Sequence, residues 1–131
     1  MMSEIANDSK SKALLVADAA SSKKAEDIII LDVGDLLGIT DYFVICSARN
    51  ERQVDTVVDE VLRRLRESDI RPYRIEGDKE QRWVLIDFLD LVVHVFHVEE
   101  REFYELERLW QDAPRVPFEQ GDEVLAGGGR A

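Results

Sequence analysis

Tyr42-Phe-Val-Ile-Cys-Ser47 is a short run of aromatic and β-branched residues, and close behind it comes Asn50-Glu-Arg-Gln-Val-Asp-Thr-Val-Val-Asp-Glu-Val-Leu-Arg-Arg-Leu65. The first piece reads as a strand, because such side chains suit a pleated, half-buried or buried surface. In the second, Val54, Val57, Val58, Val61, Leu62 and Leu65 recur at spacings of 3, 4, 7, 8 and 11, which puts them on one face of an α-helix. Asn50 with Gln53 three residues on has the form of a capping box, so the helix starts there. Ser68-Asp69 ends it, and Arg71 must be extended because Pro72 follows.

On the N-terminal side, Asp27-Ile-Ile-Ile-Leu-Asp-Val33 is apolar without alternation, a pattern expected of a strand buried on both faces and central in a sheet. The turn-like bridge Gly34–Asp41 joins it to Tyr42–Ser47, so the two strands are expected to pair closely. Before them, Ser11–Lys24 has helix-forming composition, with Leu14, Leu15, Ala17 and Ala20 on a moderately apolar side and a polar, frayed start. On the C-terminal side, Tyr73–Glu76 reads as a third strand, and Arg82–Phe88 and Leu91–Val98 as a hairpin. The connection Leu89-Asp90 lacks the residues that favour positive φ. Glu99–Asp112 is expected to close the domain as a helix with Phe103, Leu106 and Trp110 on one stripe. The sum is an α/β chain of the α+β type, five strands flanked by helices. Residues 1–10 are expected to be flexible, 11–113 to form the domain, and 114–131, which hold Pro114, Pro117 and Gly127-Gly-Gly129, to be a disordered tail.

Twenty-eight acidic residues against seventeen basic ones give 131 residues a formal charge of −11. Such a field repels phosphate backbones and attracts basic surfaces, which argues against primary nucleic-acid binding. Arg63, Arg64 and Arg66 are interspersed with Glu60 and Glu67 and read as a solvated helix face. Cys46, the only cysteine, falls in an apolar run and suits a reducing compartment. No signal-like or membrane-spanning apolar stretch is visible, so a cytoplasmic location without membrane attachment is expected.

The sequence carries no recognisable catalytic constellation. The dense glycine run lies in the tail without a following strand or helix, so it is no phosphate loop, and Ser47 has no nucleophile elbow around it. Asp87 and Asp90 with His94 and His97 could suggest a metal site. The period of two, however, sets His94 with Val92 and Phe96 on one face of its strand, and His97 with Leu91, Val93 and Val95 on the other. No metal and no cofactor are expected. Among the aromatics, Trp83 and Tyr104 are the candidates for interface anchors.

Thr40-Asp-Tyr-Phe-Val-Ile-Cys-Ser47, Arg52-Gln-Val54, Trp83-Val-Leu-Ile-Asp87, Asp90-Leu-Val-Val-His-Val-Phe96 and Arg101-Glu-Phe-Tyr-Glu-Leu-Glu-Arg-Leu-Trp110, in that order across residues 11–113, resemble the ribosomal silencing factor family, also called Iojap-like. The resemblance implies a nucleotidyltransferase-like topology without that activity. It also implies binding to the large ribosomal subunit through its fourteenth protein, steric obstruction of small-subunit joining, lowered translation under nutrient limitation, and a homodimer when free. Carried onto this chain, it implies Trp83 and Tyr104 as apolar anchors, and Asp87, Asp90 and Glu76 as acceptors for Lys or Arg. His94 would organise those carboxylates, and Tyr42 and Arg101 are motif residues whose roles could equally be structural. One departure concerns the turn: relatives commonly have glycine between the two aspartates, whereas this chain reads Asp87-Phe-Leu-Asp90, implying a wider turn or an exposed Leu89. The competing reading is a metal-dependent nucleotidyltransferase-like enzyme using Asp87 and Asp90.

Overall fold

The computed structural model describes residues 8–77, 80, 82–104 and 111–118. The elements are α1 (Ser9–Ser22), β1 (Glu26–Asp32), α2 (Gly34–Leu37), β2 (Tyr42–Ala48), α3 (Glu51–Glu67), β3 (Arg74–Gly77), β4 (Trp83–Asp87), β5 (Leu91–His97) and α4 (Val98–Tyr104). The five strands form one mixed sheet in the order β1-β2-β5-β4-β3. β1 and β2 pair antiparallel, as do β3 with β4 and β4 with β5, while β2 and β5 run parallel from Tyr42 opposite Leu91 to Ala48 opposite His97. A parallel pair needs a long crossover, and α3 with the β3–β4 hairpin supplies it.

Alternation along the strands divides the apolar residues between two faces. On one, Ile28, Ile30, Val44, Cys46, Ile86, Val93 and Val95 meet Val16 and Ala17 of α1 and Val54, Val57, Val61 and Leu65 of α3. On the other, Leu31, Phe43, Ile45 and Phe96 form a smaller cluster with Ala113, flanked by Ile29, Trp83 and Val92. The helix α3 begins with the cap its sequence predicts: the Asn50 side chain accepts the Gln53 N–H at 2.8 Å, and the Gln53 side-chain Oε1 accepts the N–H of Arg49, one residue before the cap, at 2.7 Å. Its stripe is the face that is buried. Among the described residues no helix is long and apolar enough to cross a membrane.

Three expectations change. The run Ile28–Leu31 is not central: β1 is the marginal strand. Burial on both faces needs cover above and below, which the helices and the Phe43–Phe96 cluster provide, and does not need two strand neighbours. The second change explains how the margin is protected. Residues 114–116, which composition assigns to the tail, lie along β1, with the Asp32 N–H donating to the Pro114 carbonyl at 2.8 Å and the Val116 N–H to the Ile30 carbonyl at 2.9 Å. The start of α1 is likewise held, since Asp8 caps it by accepting the Ser11 N–H, and the helix begins at Ser9. The side chain of Phe103 lies outside the described residues, as do Leu106 and Trp110 with the rest of the expected helix from 105 to 110, so the proposed stripe is not described.

The third change is at the β4–β5 turn. It is tight, and Leu89 takes φ 78°, in the left-handed region that favours glycine. The Asp87 carboxylate accepts the Leu89 N–H at 2.8 Å and the Phe88 N–H donates to the Leu91 carbonyl at 2.8 Å, so the turn is held from both ends while buried Phe88 anchors it. Leu89 itself is mostly exposed, so its packing offsets little of that strain. Leu89→Gly should therefore raise stability by about 0.5–1 kcal/mol, the relief of left-handed strain less the chain entropy of glycine. Urea unfolding checks this, and a loss of stability would show that the leucine side chain contributes to the fold.

Candidate functional site

The residues singled out from the sequence do not form one site. The strands put Trp83, Leu85 and Asp87 of β4 on the same face as Val92, His94 and Phe96 of β5 and Arg74 and Glu76 of β3, because directly paired residues share a face. Trp83 and Asp87 are four residues apart on one strand, about 13 Å. Trp83 therefore stands at one end of this face and Asp87 at the other.

Around Trp83 the aromatic rings are closely arranged. Its indole stacks on Phe96 with centroids 5.5 Å apart and planes 8° from parallel, and His94 stacks alongside, 6.2 Å from the indole. Phe43 meets His94 edge-on at 5.0 Å. The indole N–H donates to His94 Nδ1 at 3.4 Å, which leaves the imidazole proton on Nε2, where it has no hydrogen-bond partner among the described residues. Burial pushes the His94 pKa down to about 4, so the ring is neutral at pH 7. The expected role of His94 as organiser of the carboxylates is replaced by this one: it supports the indole, and its surroundings are rings. Trp83 is half-buried, and beside it Glu76, Gly77 and Leu85 bound a hollow of about 270 Å³.

Asp87 is engaged by the fold, accepting the Leu89 N–H and pairing with Arg74 Nε at 3.4 Å. Asp90 faces elsewhere. Its Oδ2 takes Lys12 Nζ at 3.1 Å and Ser9 Oγ at 2.7 Å, while the same hydroxyl lies 2.9 Å from Asp41 Oδ2. These groups belong to a second feature, a cleft of about 630 Å³ at the end of the sheet where β2 and β5 begin, lined among others by Asp8, Asp32, Asp35, Asp41 and Asp90. Tyr42 lines it too, and its hydroxyl pKa is raised by burial and by the nearby charges of Asp32, Asp8 and Asp41. Arg101 is inside the protein, its guanidinium donating to the Asp27 carbonyl and, at 3.0 Å, to Ser47 Oγ. The side chain of Tyr104 lies outside the described residues. Among the described residues no group of three or more His, Cys, Asp or Glu could hold a metal ion.

Sequence reasoning did not find the cleft, because its carboxylates come from four separate segments. A signal was present: the bridge between the first two strands mixes Asp35 and Asp41 with Leu36 and Ile39, which the structure leaves exposed.

Comparison with known proteins follows the fold and the motifs. A Bacillus subtilis protein named ribosomal silencing factor RsfS is 42% identical over 112 residues, 86% of this chain and 95% of that one. A protein of the same name from Halalkalibacterium halodurans is 44% identical over 105 residues, covering 80% and 90%. The chloroplastic protein Iojap of Zea mays is 35% identical over 109 residues, 82% of this chain and 47% of that longer one. A crystal structure of a Bacillus halodurans protein superposes with a TM-score of 0.70 at 40% identity, covering 79% of this chain and 94% of that one. One from Chromobacterium violaceum gives 0.76 at 28% identity, covering 87% and 96%. With residues 6–128 also matching the family described as ribosomal silencing factor during starvation, the chain belongs to that family.

Proposed function

We propose that this protein binds the large ribosomal subunit through the fourteenth protein of that subunit, using the sheet face around Trp83, and thereby blocks joining of the small subunit when nutrients are scarce. The observation that supports this reading best is the half-buried indole beside a hollow of about 270 Å³, with the exposed carboxylate of Glu76 at its rim. A large aromatic held by stacking, next to a space the size of a side chain and an acceptor for a basic group, has the composition of an interface hot spot. The net charge of −11 steers the protein toward a basic ribosomal protein and away from bulk RNA. Docking is by protein surface, in the cytoplasm, and needs no cofactor. A homodimer that covered the same face would compete with the ribosome for it.

An enzymatic reading on Asp87 and Asp90 is weaker, since each carboxylate is occupied by a different set of partners, Arg74 and the turn for one, Lys12 and Ser9 for the other. The test is sedimentation of purified subunits with the protein present. Wild type should comigrate with the large subunit and deplete joined ribosomes, and Trp83→Ala should weaken comigration at least tenfold. Glu76→Lys, a change at an exposed side chain paired with Arg74 at 3.1 Å, should weaken it too at a cost in stability of no more than about 1 kcal/mol. Free wild type at the top of the gradient would defeat the ribosomal reading. Comigration unaffected by either substitution would move the interface elsewhere.

A further inference from the structure

The cleft at the start of β2 and β5 is not explained by the face around Trp83. From Tyr42 at the cleft, paired with Leu91, to Phe96 beneath the indole is five residues of strand, about 17 Å. Five carboxylates line the cleft, those of Asp8, Asp32, Asp35, Asp41 and Asp90, and its nearby cations are Lys10 and the Lys12 paired to Asp90. Two apolar residues that line it are open to solvent: Ile39 is 84% exposed and Leu89 59%.

One further feature calls for a polar group from outside. Thr40 lines the cleft, is only 7% exposed, and its hydroxyl has no hydrogen-bond partner among the described residues. A site rich in acceptors and poor in donors, rimmed by aliphatic side chains, is complementary to an ammonium or guanidinium carried on an apolar stem. Nucleic acid and anionic lipid are repelled by the same charges.

We propose that this cleft is a docking site for a basic, aliphatic-flanked segment of a protein partner. A Lys or Arg side chain of the segment inserts between Asp32, Asp35 and Asp41, and its apolar neighbours lie on Ile39 and Leu89. The proposal does not rest on the ribosomal reading and stands or falls separately from it. It also gives Leu89 a reason to occupy a left-handed position that glycine would fill with less strain: the exposed side chain is contact surface.

The probe is a fluorescein-labelled peptide, Gly-Leu-Lys-Val-Arg-Leu-Lys-Val-Gly, titrated with the full chain at physiological salt and read by anisotropy. A peptide with the same charges but serine for each leucine and valine should bind at least tenfold more weakly, and one with glutamate for each basic residue should not bind. The double variant Asp35→Lys, Ile39→Ser should lose at least tenfold for the original peptide, whereas Glu76→Lys, on the distant face, should stay within twofold. Asp35→Asn alone, a milder change, should lose severalfold, which guards against misfolding of the double variant. The proposal is overturned if the wild type does not bind the peptide, if the serine peptide binds equally, if the cleft variants bind as wild type does, or if millimolar magnesium displaces the peptide and so marks the cleft as a cation site.

Discussion

Between pH 7 and pH 4.5 the folded protein should lose roughly 2 kcal/mol more stability than a His94→Gln variant does. His94 is surrounded by Phe43, Trp83 and Phe96, accepts the indole N–H, and is held neutral down to about pH 4 by burial. In the unfolded chain the same imidazole takes a proton near pH 6.5. In that window the unfolded state therefore binds a proton that the folded state refuses, so stability is complete above the unfolded pKa and falls as the pH drops toward the folded one. Each unit of difference is worth about 1.4 kcal/mol. His94→Gln removes the titration, and although it lowers stability overall, its loss between the two pH values should be flatter. Urea unfolding of both proteins at pH 7 and 4.5 measures the difference. Parallel losses would mean that His94 is hydrated or protonated in the folded protein.

Arg101→Ala should destabilise the fold by about 3 kcal/mol. The guanidinium is buried and ties α4 to the backbone of β1 at Asp27 and to Ser47 of β2. Asp27 has φ 50°, at an irregular point where the β1–β2 register shifts, and its carbonyl accepts from the arginine there. Deleting a charged donor costs more than deleting a neutral one, and here it also removes the arginine's bond to the buried Ser47 hydroxyl. Arg101→Lys should recover less than half, because an ammonium cannot reproduce the planar fork. Chemical denaturation provides the measurement. At a temperature where Arg101→Ala remains folded, its comigration with large subunits should equal that of wild type; a loss there would return the residue to the interface.

The residues that define the fold were readable wherever the signal was local. The stripe Val54–Leu65 and the Asn50–Gln53 pair carry the whole description of α3, and alternation along Leu91–His97 correctly separated the two histidines onto opposite faces. What failed to show was non-local. Ile28–Leu31 would read the same in a central strand, and only the path of residues 114–116 reveals a covered margin. The turn at Leu89 violates local preference because Asp87 and Phe88 fix its ends. Asp87 and Asp90, close in sequence, are directed by that turn to different neighbours, whereas Asp90 and Ser9, distant in sequence, meet.

The cover on β1 has a consequence for how copies of this sheet could ever add to one another. The strand order leaves two lateral borders, and residues 114–116 cover one of them from Ile30 to Asp32. Among the described residues β3 is paired on a single side, and all four of its residues are exposed. A strand joining this sheet finds a whole open strand there. Two molecules that met border to border through β3 would bury the hydrogen-bonding groups of both along it, while the cover at the end of β1 opposes addition of a third, so edge pairing in this fold favours two copies over a growing fibre.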